Sequence, residues 1–364
     1  MSIPVRLAIF GNGFARTTAL PCLRHVPEIE VVGIASPNRA RVEETARQFG
    51  IPQASDDYRQ ILRDAAPNLA FVATPPHRHL EQSIDALKAG CHVICEKPTA
   101  MSGGESRAML EAAVAHPDRL TLIDHELRFD PRRRHLRNLI AAGELGEIWR
   151  AEYTLSSPYR RDPENPWGWW SDRHQGGGAW GAIGSHAVDT LRWLLGEVDA
   201  ARGALHVLHR ERRDPESGEM RLVTADDLAT ASLKMRSGAL AEVSISLIEV
   251  ERRHEIVING SRAAARWREQ GPLELWRSRE RGWETIEVPD ELPPSGELGI
   301  PDTDWARCFL RLMRAAAKTL TAGEAQLPEA ASFRDGHRNQ LVLDAVYRSS
   351  EEARWRGIEL EFEG

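Results

Sequence analysis

Two stretches of this chain set polar side chains where a ligand could meet them, and a third has the backbone that a phosphate needs. Glu96-Lys97-Pro98 follows the apolar run His92–Cys95, which puts an ammonium group beside a carboxylate at a strand end. At the carboxyl edge of a parallel sheet such a lysine meets a substrate oxygen; taken alone, the tripeptide reads first as a surface ion pair. Far along the chain, Gly176-Gly177-Gly178 leads into a helix over 182–195 on which Ala182, His186 and Asp189 share one face. The glycines allow close approach of a ligand, and a histidine aligned with an acid behind such a turn is a functional candidate, although a lone helical histidine is usually structural. The third stretch is Val5–Phe10 running directly into Gly11-Asn12-Gly13, with Phe14 and Ala15 opening a helical segment. Gly11 permits a tight turn, Gly13 lets the backbone come close to a diphosphate, and the free N–H groups at the helix start bind the anion. Arg16 stands where a third small residue would complete the pattern, so an ordinary strand-to-helix turn is the alternative.

Two further loops extend the nucleotide hypothesis. After the second apolar run comes Ser36-Pro37-Asn38-Arg39, where an NAD-binding fold usually has an acid for the ribose hydroxyls. Ser36 carries no charge to repel a 2′-phosphate, and Asn38, Arg39 or Arg41 can donate to one, which favours NADP over NAD; otherwise the arginines only solvate a helix start. Thr74-Pro75-Pro76, with His79 shortly after, is an extended loop whose prolines lack amide donors and whose Thr74 hydroxyl faces the strand end.

The elements that must position these residues follow from periodicity. Strands are expected at Val5–Phe10, Glu30–Ala35, Leu69–Ala73, His92–Cys95 and Leu120–Asp124, alternating with helices at Ala15–Arg24, Ala40–Phe49, Tyr58–Arg63, His79–Ala89 and Ser102–Ala115. That rhythm implies an α/β Rossmann-type domain with a covered parallel sheet over 1–124. From about Ile148 the pattern changes to alternating strands at Ile148–Ser156, Ala204–Arg210, Leu228–Met235, Ala239–Leu247, Glu255–Asn259, Leu273–Arg277 and Trp283–Val288. These suggest a second, α+β domain over 125–364 with a large antiparallel sheet; its late helices, Asp304–Thr321 and Ser332–Ser350, can pack back on the first domain.

Composition narrows the function classes. With 364 residues, 41% apolar and 28% charged, the chain can bury a full core. A net charge of −7 gives no general attraction to nucleic acid or anionic membrane. Arg132-Arg133-Arg134 reads as a solvated helix face. Cys22, Cys91, Cys95 and Cys308 form no Cys-x-x-Cys pair and read as buried, reduced thiols of a cytoplasmic protein, with neither disulfide nor metal site expected. No signal peptide or membrane span is expected.

Together, Gly11-Asn12-Gly13, Thr74-Pro75-Pro76 with His79, Ala89–Pro98, Arg128-Phe129-Asp130-Pro131, the Gly176–Asp189 segment and the late stretch from Pro328 resemble the Gfo/Idh/MocA family of NAD(P)-dependent oxidoreductases. The resemblance spans nearly the whole chain. It implies a Rossmann domain, an open sheet that packs subunits into homodimers or homotetramers, and metal-free hydride transfer between nicotinamide and a sugar, cyclitol or related polyhydroxy compound. By position, Glu96 and Lys97 fall at the cofactor, Lys97 contacts the reacting oxygen and His186 handles its proton. The physics suits these roles, since an imidazole titrates near neutrality and an ammonium stabilises an alkoxide.

One departure stands out. Many members have an aspartate four residues before the histidine, where this chain has Ala182. Glu126, just after the strand ending near Asp124, is a candidate for the missing carboxylate; a salt bridge to Arg128 or another arginine is the equal alternative. Arg128 and Asp189 are further substrate candidates. Between Pro158 and Arg173, Tyr159, Trp169 and Trp170 cluster with arginines in a composition suited to a carbohydrate lid, while core packing remains open for each indole. Two other functions stay possible: a nucleotide-binding regulatory protein without turnover, and a glycosidase whose tightly held NAD is transiently reduced.

Overall fold

The computed structural model describes residues 4–359, and these divide into two compact units: the chain up to Asp130 with Asp290–His337, and Pro131–Pro289 with the chain from Arg338 onward. In the first unit, the strands β1 (Val5–Phe10), β2 (Ile29–Ala35), β3 (Gln53–Ser55), β4 (Leu69–Val72), β5 (His92–Cys95) and β6 (Thr121–Ile123) are all parallel, in the order β3-β2-β1-β4-β5-β6. A two-residue strand, Ala331–Ser332, adds antiparallel to β6. The sheet is covered on both faces, so β4 is buried at every position and its sequence, Leu-Ala-Phe-Val, is a continuous apolar run rather than an alternating one. Order reverses between β1 and β4, and crevices for ligands form at such a point beyond the carboxyl ends of the strands.

The helices of this unit are capped by the side chains their sequences offer. Asn38 accepts from the Arg41 N–H ahead of Arg39–Phe49, and Gly50 closes that helix in the left-handed region. Ser102 accepts from the Glu105 N–H while Glu105 accepts from the Met101 N–H, a reciprocal cap on Gly103–Ala115. The late helix Asp304–Thr321 belongs here. Its Phe309 ring meets Phe71 of β4 and Phe14 behind the glycine turn, both with ring centres 5.4 Å away. The segment expected as a helix over Ala15–Arg24 is wound in two styles, a π-helical Ala15–Ala19 followed by α-helical Leu20–Leu23. Strand β3 went unforeseen because Gln-Ala-Ser carries no apolar signal; as an edge strand it needs little.

The second unit is built on a nine-stranded sheet in the order Trp283–Ile286, Leu273–Trp276, Ala264–Arg268, Arg253–Gly260, Ile148–Ser156, Leu240–Ser246, Leu228–Met235, Val198–His206, Arg356–Gly357. Every pairing is antiparallel except Ile148–Ser156 with Leu240–Ser246. Leu228–Met235 shows the cause, with Ala229, Ala231, Leu233 and Met235 buried and the intervening side chains more exposed. The strand expected at Ala204–Arg210 is instead Val198–His206, and Ala264–Arg268 was not anticipated, since its arginines mask the alternation. A separate hairpin pairs Glu211–Arg213 with Met220–Leu222.

Arg132-Arg133-Arg134 corrects the expectation of a solvated face. These residues do lie on a helix, Pro131–Ala141, but Arg133 is fully buried, its guanidinium 4.0 Å from the Trp267 ring centre and donating to Thr190 Oγ1 at 2.9 Å. The stacked indole and the hydroxyl replace water around the cation. All four cysteines are buried and free, and no helix among the described residues is long and apolar enough to cross a membrane.

Candidate functional site

The crevice of the first unit starts at Gly11. Its φ is +113°, and a Cβ there would lie 2.2 Å from the Ala73 carbonyl oxygen and 2.9 Å from the Thr74 nitrogen, so β1 and β4 end in backbone-to-backbone contact that only glycine permits. At Gly13, by contrast, a Cβ would meet nothing within 4 Å, and the residue is exposed. Asn12 is buried with its side-chain oxygen lacking a partner among the described residues. The open, exposed glycine at a helix start is what fits a dinucleotide diphosphate, because the free backbone N–H groups there donate to the anion; the Asn12 oxygen accepts and needs a donor instead. Ala15 is fully buried, Phe14 packs inward on Phe309, and Arg16 is exposed, so the departure at Arg16 leaves the crevice itself unfilled.

Beyond β2, Ser36 is half-buried and anchored by its N–H on the Ser55 carbonyl at 3.0 Å. Asn38 spends its side chain on the helix cap, and exposed Arg39 pairs with Glu43 at 3.0 Å and reaches Asp56 at 3.9 Å. Beyond β4, Thr74 Oγ1 donates to Gln82 Oε1 at 2.6 Å, and Pro75 leads into a single 3₁₀ turn over Pro76–Arg78. His79 is fully buried, with ring nitrogens 2.8 Å from the Thr74 oxygen and 2.9 Å from the Pro98 oxygen. Burial pushes its pKa down to about 4, so the ring is neutral, donates to one of these two carbonyls and packs between the loops after β4 and β5.

The ends of β5 and β6 hold an acidic cluster around Lys97. The pairing Cys95↔Ile123 makes Glu96 and Asp124 the next neighbours across two parallel strands, and the Asp124 N–H donates to the Cys95 oxygen at 2.7 Å. The Glu96 carboxylate accepts from the Lys97 backbone N–H at 3.2 Å, ahead of the cis Lys97–Pro98 peptide. Glu126, on the 3₁₀ turn Glu126–Phe129, is buried beside them. Burial raises the Glu96 pKa, while the Lys97 charge and a hydrogen bond from Asp124 pull it back. Asp124 is held well above the carboxylate range, first by burial and then by the negative charges of Glu126 and Glu96. Asp124 was not among the expected site residues; its signal was its place directly after the strand next to Glu96. Arg128, a substrate candidate, is buried in this unit, 3.3 Å from Asp335 and donating to the Ala330 oxygen at 3.3 Å.

In the second unit the glycine run is dictated by contacts. A Cβ at Gly177 would lie 2.4 Å from the Trp169 oxygen, and one at Gly178, where φ is +109°, would lie 2.4 Å from Asp226 Oδ1. Asp226 accepts from the Trp180 N–H at 2.8 Å and so fastens the start of the helical segment, a π-helical Trp180–Gly184 continued by α-helical Ser185–Leu195. Ala182, His186 and Asp189 are all buried on it. Asp189 accepts from Asn339 Nδ2 at 3.0 Å, and the chain of polar contacts runs on through Arg192 to Glu197. Asp189 is therefore engaged in the interior of the unit. Trp169 and Trp170 are half-buried with ring centres 4.9 Å apart, and the exposed Tyr159 ring stands edge-on to Trp170 at 5.2 Å. These three form an accessible aromatic group, while Trp180 takes the core position.

Residues 5–123 match the oxidoreductase family with an NAD-binding Rossmann fold, and residues 133–266 match the GFO/IDH/MocA C-terminal domain. The chain is 28% identical to levoglucosan dehydrogenase of Pseudarthrobacter phenanthrenivorans, over 91% of this chain and 89% of that protein. It is 31% identical to D-glucoside 3-dehydrogenase of Escherichia coli over 54% of this chain and 55% of that one. A solved levoglucosan dehydrogenase in complex with NADH and L-sorbose superposes with a TM-score of 0.87 at 25% identity, over 98% of this chain and 99% of that chain. Sheet order, glycine turn and both domain matches agree: the chain belongs to the GFO/IDH/MocA family and is an NAD(P)-dependent oxidoreductase.

Proposed function

We propose that this enzyme transfers a hydride between the nicotinamide and a CH–OH carbon of a sugar, cyclitol or related polyhydroxy compound. The observation that carries the reading is the Lys97 cluster at the carboxyl ends of β5 and β6, in the same unit as the Gly11–Gly13 crevice; sugar dehydrogenases among the relatives support the substrate class. Bound at the glycine turn, the dinucleotide supplies the hydride acceptor or donor. The chain supplies position and charge. Backbone N–H groups behind Gly13 hold the diphosphate, with Asn12, Phe14 and Ala15 shaping the turn and Thr74, Pro75 and Pro76 the neighbouring wall. His79 keeps that wall attached to Pro98.

In this assignment Lys97 meets the reacting oxygen, and its ammonium offsets the negative charge that develops there. His186 takes the hydroxyl proton during oxidation and returns it during reduction. Glu126 provides the carboxylate that Ala182 lacks, since it lies beside Asp124 in the Lys97 cluster. Tyr159, Trp169 and Trp170 offer apolar faces to a sugar ring. Arg128 and Asp189 serve the substrate side of the site, each held within its own unit by a side-chain partner, Asp335 for Arg128 and Asn339 for Asp189.

The cofactor preference we propose is NADP, with NAD accepted. Ser36 brings no charge against a 2′-phosphate, and a dianion competes well for Arg39 against Glu43, which shares it in solvent. We further propose a cytoplasmic homodimer or homotetramer joined through the sheet of the second unit, where Trp149 and Leu240 are exposed, with no nucleic-acid or membrane partner. Lys97→Met and His186→Asn test the core of the proposal. Each should lower kcat by roughly 10²–10⁴ while leaving NAD(P)H affinity nearly unchanged; normal turnover of a polyol by both variants would show the roles are wrongly assigned.

A further inference from the structure

Asp124 has a feature that the hydride-transfer reading does not use. It is fully buried, and no N–H or O–H of another residue reaches either of its oxygens among the described residues. The parallel register nevertheless sets it against Glu96, one position beyond Cys95↔Ile123. Two carboxyl groups cannot share a buried site as anions, because mutual repulsion adds to the loss of hydration; the arrangement holds together when one proton lies between them. Glu96 has both the Lys97 N–H and the Lys97 charge to favour its anionic form, whereas Asp124 has the Lys97 charge alone, set against burial and the charges of Glu126 and Glu96.

We propose that Asp124 is a positioning residue for Lys97: as a carboxylic acid that keeps its proton at neutral pH and loses it only in alkali, it donates a hydrogen bond to the Glu96 carboxylate, which in turn fixes the Lys97 loop. The groups facing the pair are Lys97 on the β5 loop, Glu126 on the 3₁₀ turn, Cys95 on β5, and Cys22 behind the glycine turn. Both thiols are buried, with pKa values raised by that burial, so they stay uncharged near neutrality. The charge near Lys97 is then set by Glu96 and Glu126, with Asp124 contributing none. Loss of its proton would add a third negative charge to the cluster.

The role of Lys97 rests on the hydride-transfer reading, but the protonation of Asp124 does not, so the two are tested separately. Infrared spectroscopy of the intact protein at pH 8, without substrate, should show a protonated-carboxyl stretch that shifts in heavy water and disappears in Asp124→Asn. An identical band in Asp124→Asn, or no such band in the wild-type protein, overturns the proposal whatever the enzyme turns over. For the positioning role, Asp124→Ala should lose at least tenfold in kcat, with NAD(P)H affinity changed less than threefold. Asp124→Asn, which still offers an N–H to Glu96, should recover most of that loss and abolish the alkaline inflection of kcat/KM. An Asp124→Ala enzyme with wild-type kcat, or an Asn variant no better than Ala, overturns it. If Asp124→Ala does not fold, the infrared band and the Asn pH profile still decide.

Discussion

Gly11→Ala and Gly13→Ala, two positions apart in one turn, are expected to fail in different ways. At Gly11 the new methyl carbon would lie 2.2 Å from a backbone oxygen and 2.9 Å from a backbone nitrogen, at a φ of +113°. The backbone conformation costs about 1–3 kcal/mol for a residue with a side chain. Pushing β4 aside adds a comparable overpacking cost, roughly 1–3 kcal/mol. A total near 3–4 kcal/mol lowers Tm by roughly 6–16 °C for a unit of this size. At Gly13 the methyl carbon meets nothing within 4 Å, so the fold should be indifferent. It would instead occupy the approach of the diphosphate, and binding should weaken by about tenfold or more, about 1.4 kcal/mol. Thermal unfolding without ligand and calorimetric titration with NADH and NADPH measure the two effects independently. A Gly11→Ala protein that melts with wild type, or a Gly13→Ala protein with unaltered affinity for both nucleotides, refutes the reading of the turn.

Two other expectations follow from charge. Wild-type enzyme should bind NADPH more tightly than NADH, and Arg39→Ala should reverse that order by weakening NADPH alone; a wild-type preference of about tenfold for NADH, roughly 1.4 kcal/mol, removes the Ser36 argument. Asp226, buried beneath the Trp180 N–H, has its pKa raised by burial to about 7. A carboxyl raised on folding binds its proton more tightly in the folded state. Its favourable contribution is complete below the unfolded value and is lost as pH rises from near 4 to near 7, at up to about 1.4 kcal/mol per unit. Asp226→Asn should therefore flatten the fall in Tm between pH 5 and pH 7. Parallel Tm curves for the two proteins would show that Asp226 ionises normally.

Much of the first unit was legible because its signals are local. A four-residue apolar strand, a glycine that must turn, and an asparagine or serine that caps the next helix each depend on neighbours within a few positions, so β1, β4, β5 and the helices behind them could be placed closely. The long amphipathic helix Asp304–Thr321 was visible for the same reason. In the second unit, Leu228–Met235 and Ile148–Ser156 were clear where alternation was clean. Ala264–Arg268 was missed because its arginines look solvent-bound until Glu274 and the Trp283 ring are found beside Arg266.

What the sequence determined by itself was the set of chemical groups at each strand end and the family that arranges them so: Gly11, Thr74, Lys97 and His186 could be singled out without coordinates. Tertiary structure alone decided which polar groups of the chain are committed to other partners. Arg133 lies on an indole and not in water, Arg128 is held by Asp335, and His79 joins two loops. It also decided that Asp124 meets Glu96, a pairing made by strand register across 28 positions of chain. The physical reason is that local propensity reports what a residue can do, whereas burial and partner, which set its charge, come from segments distant in sequence.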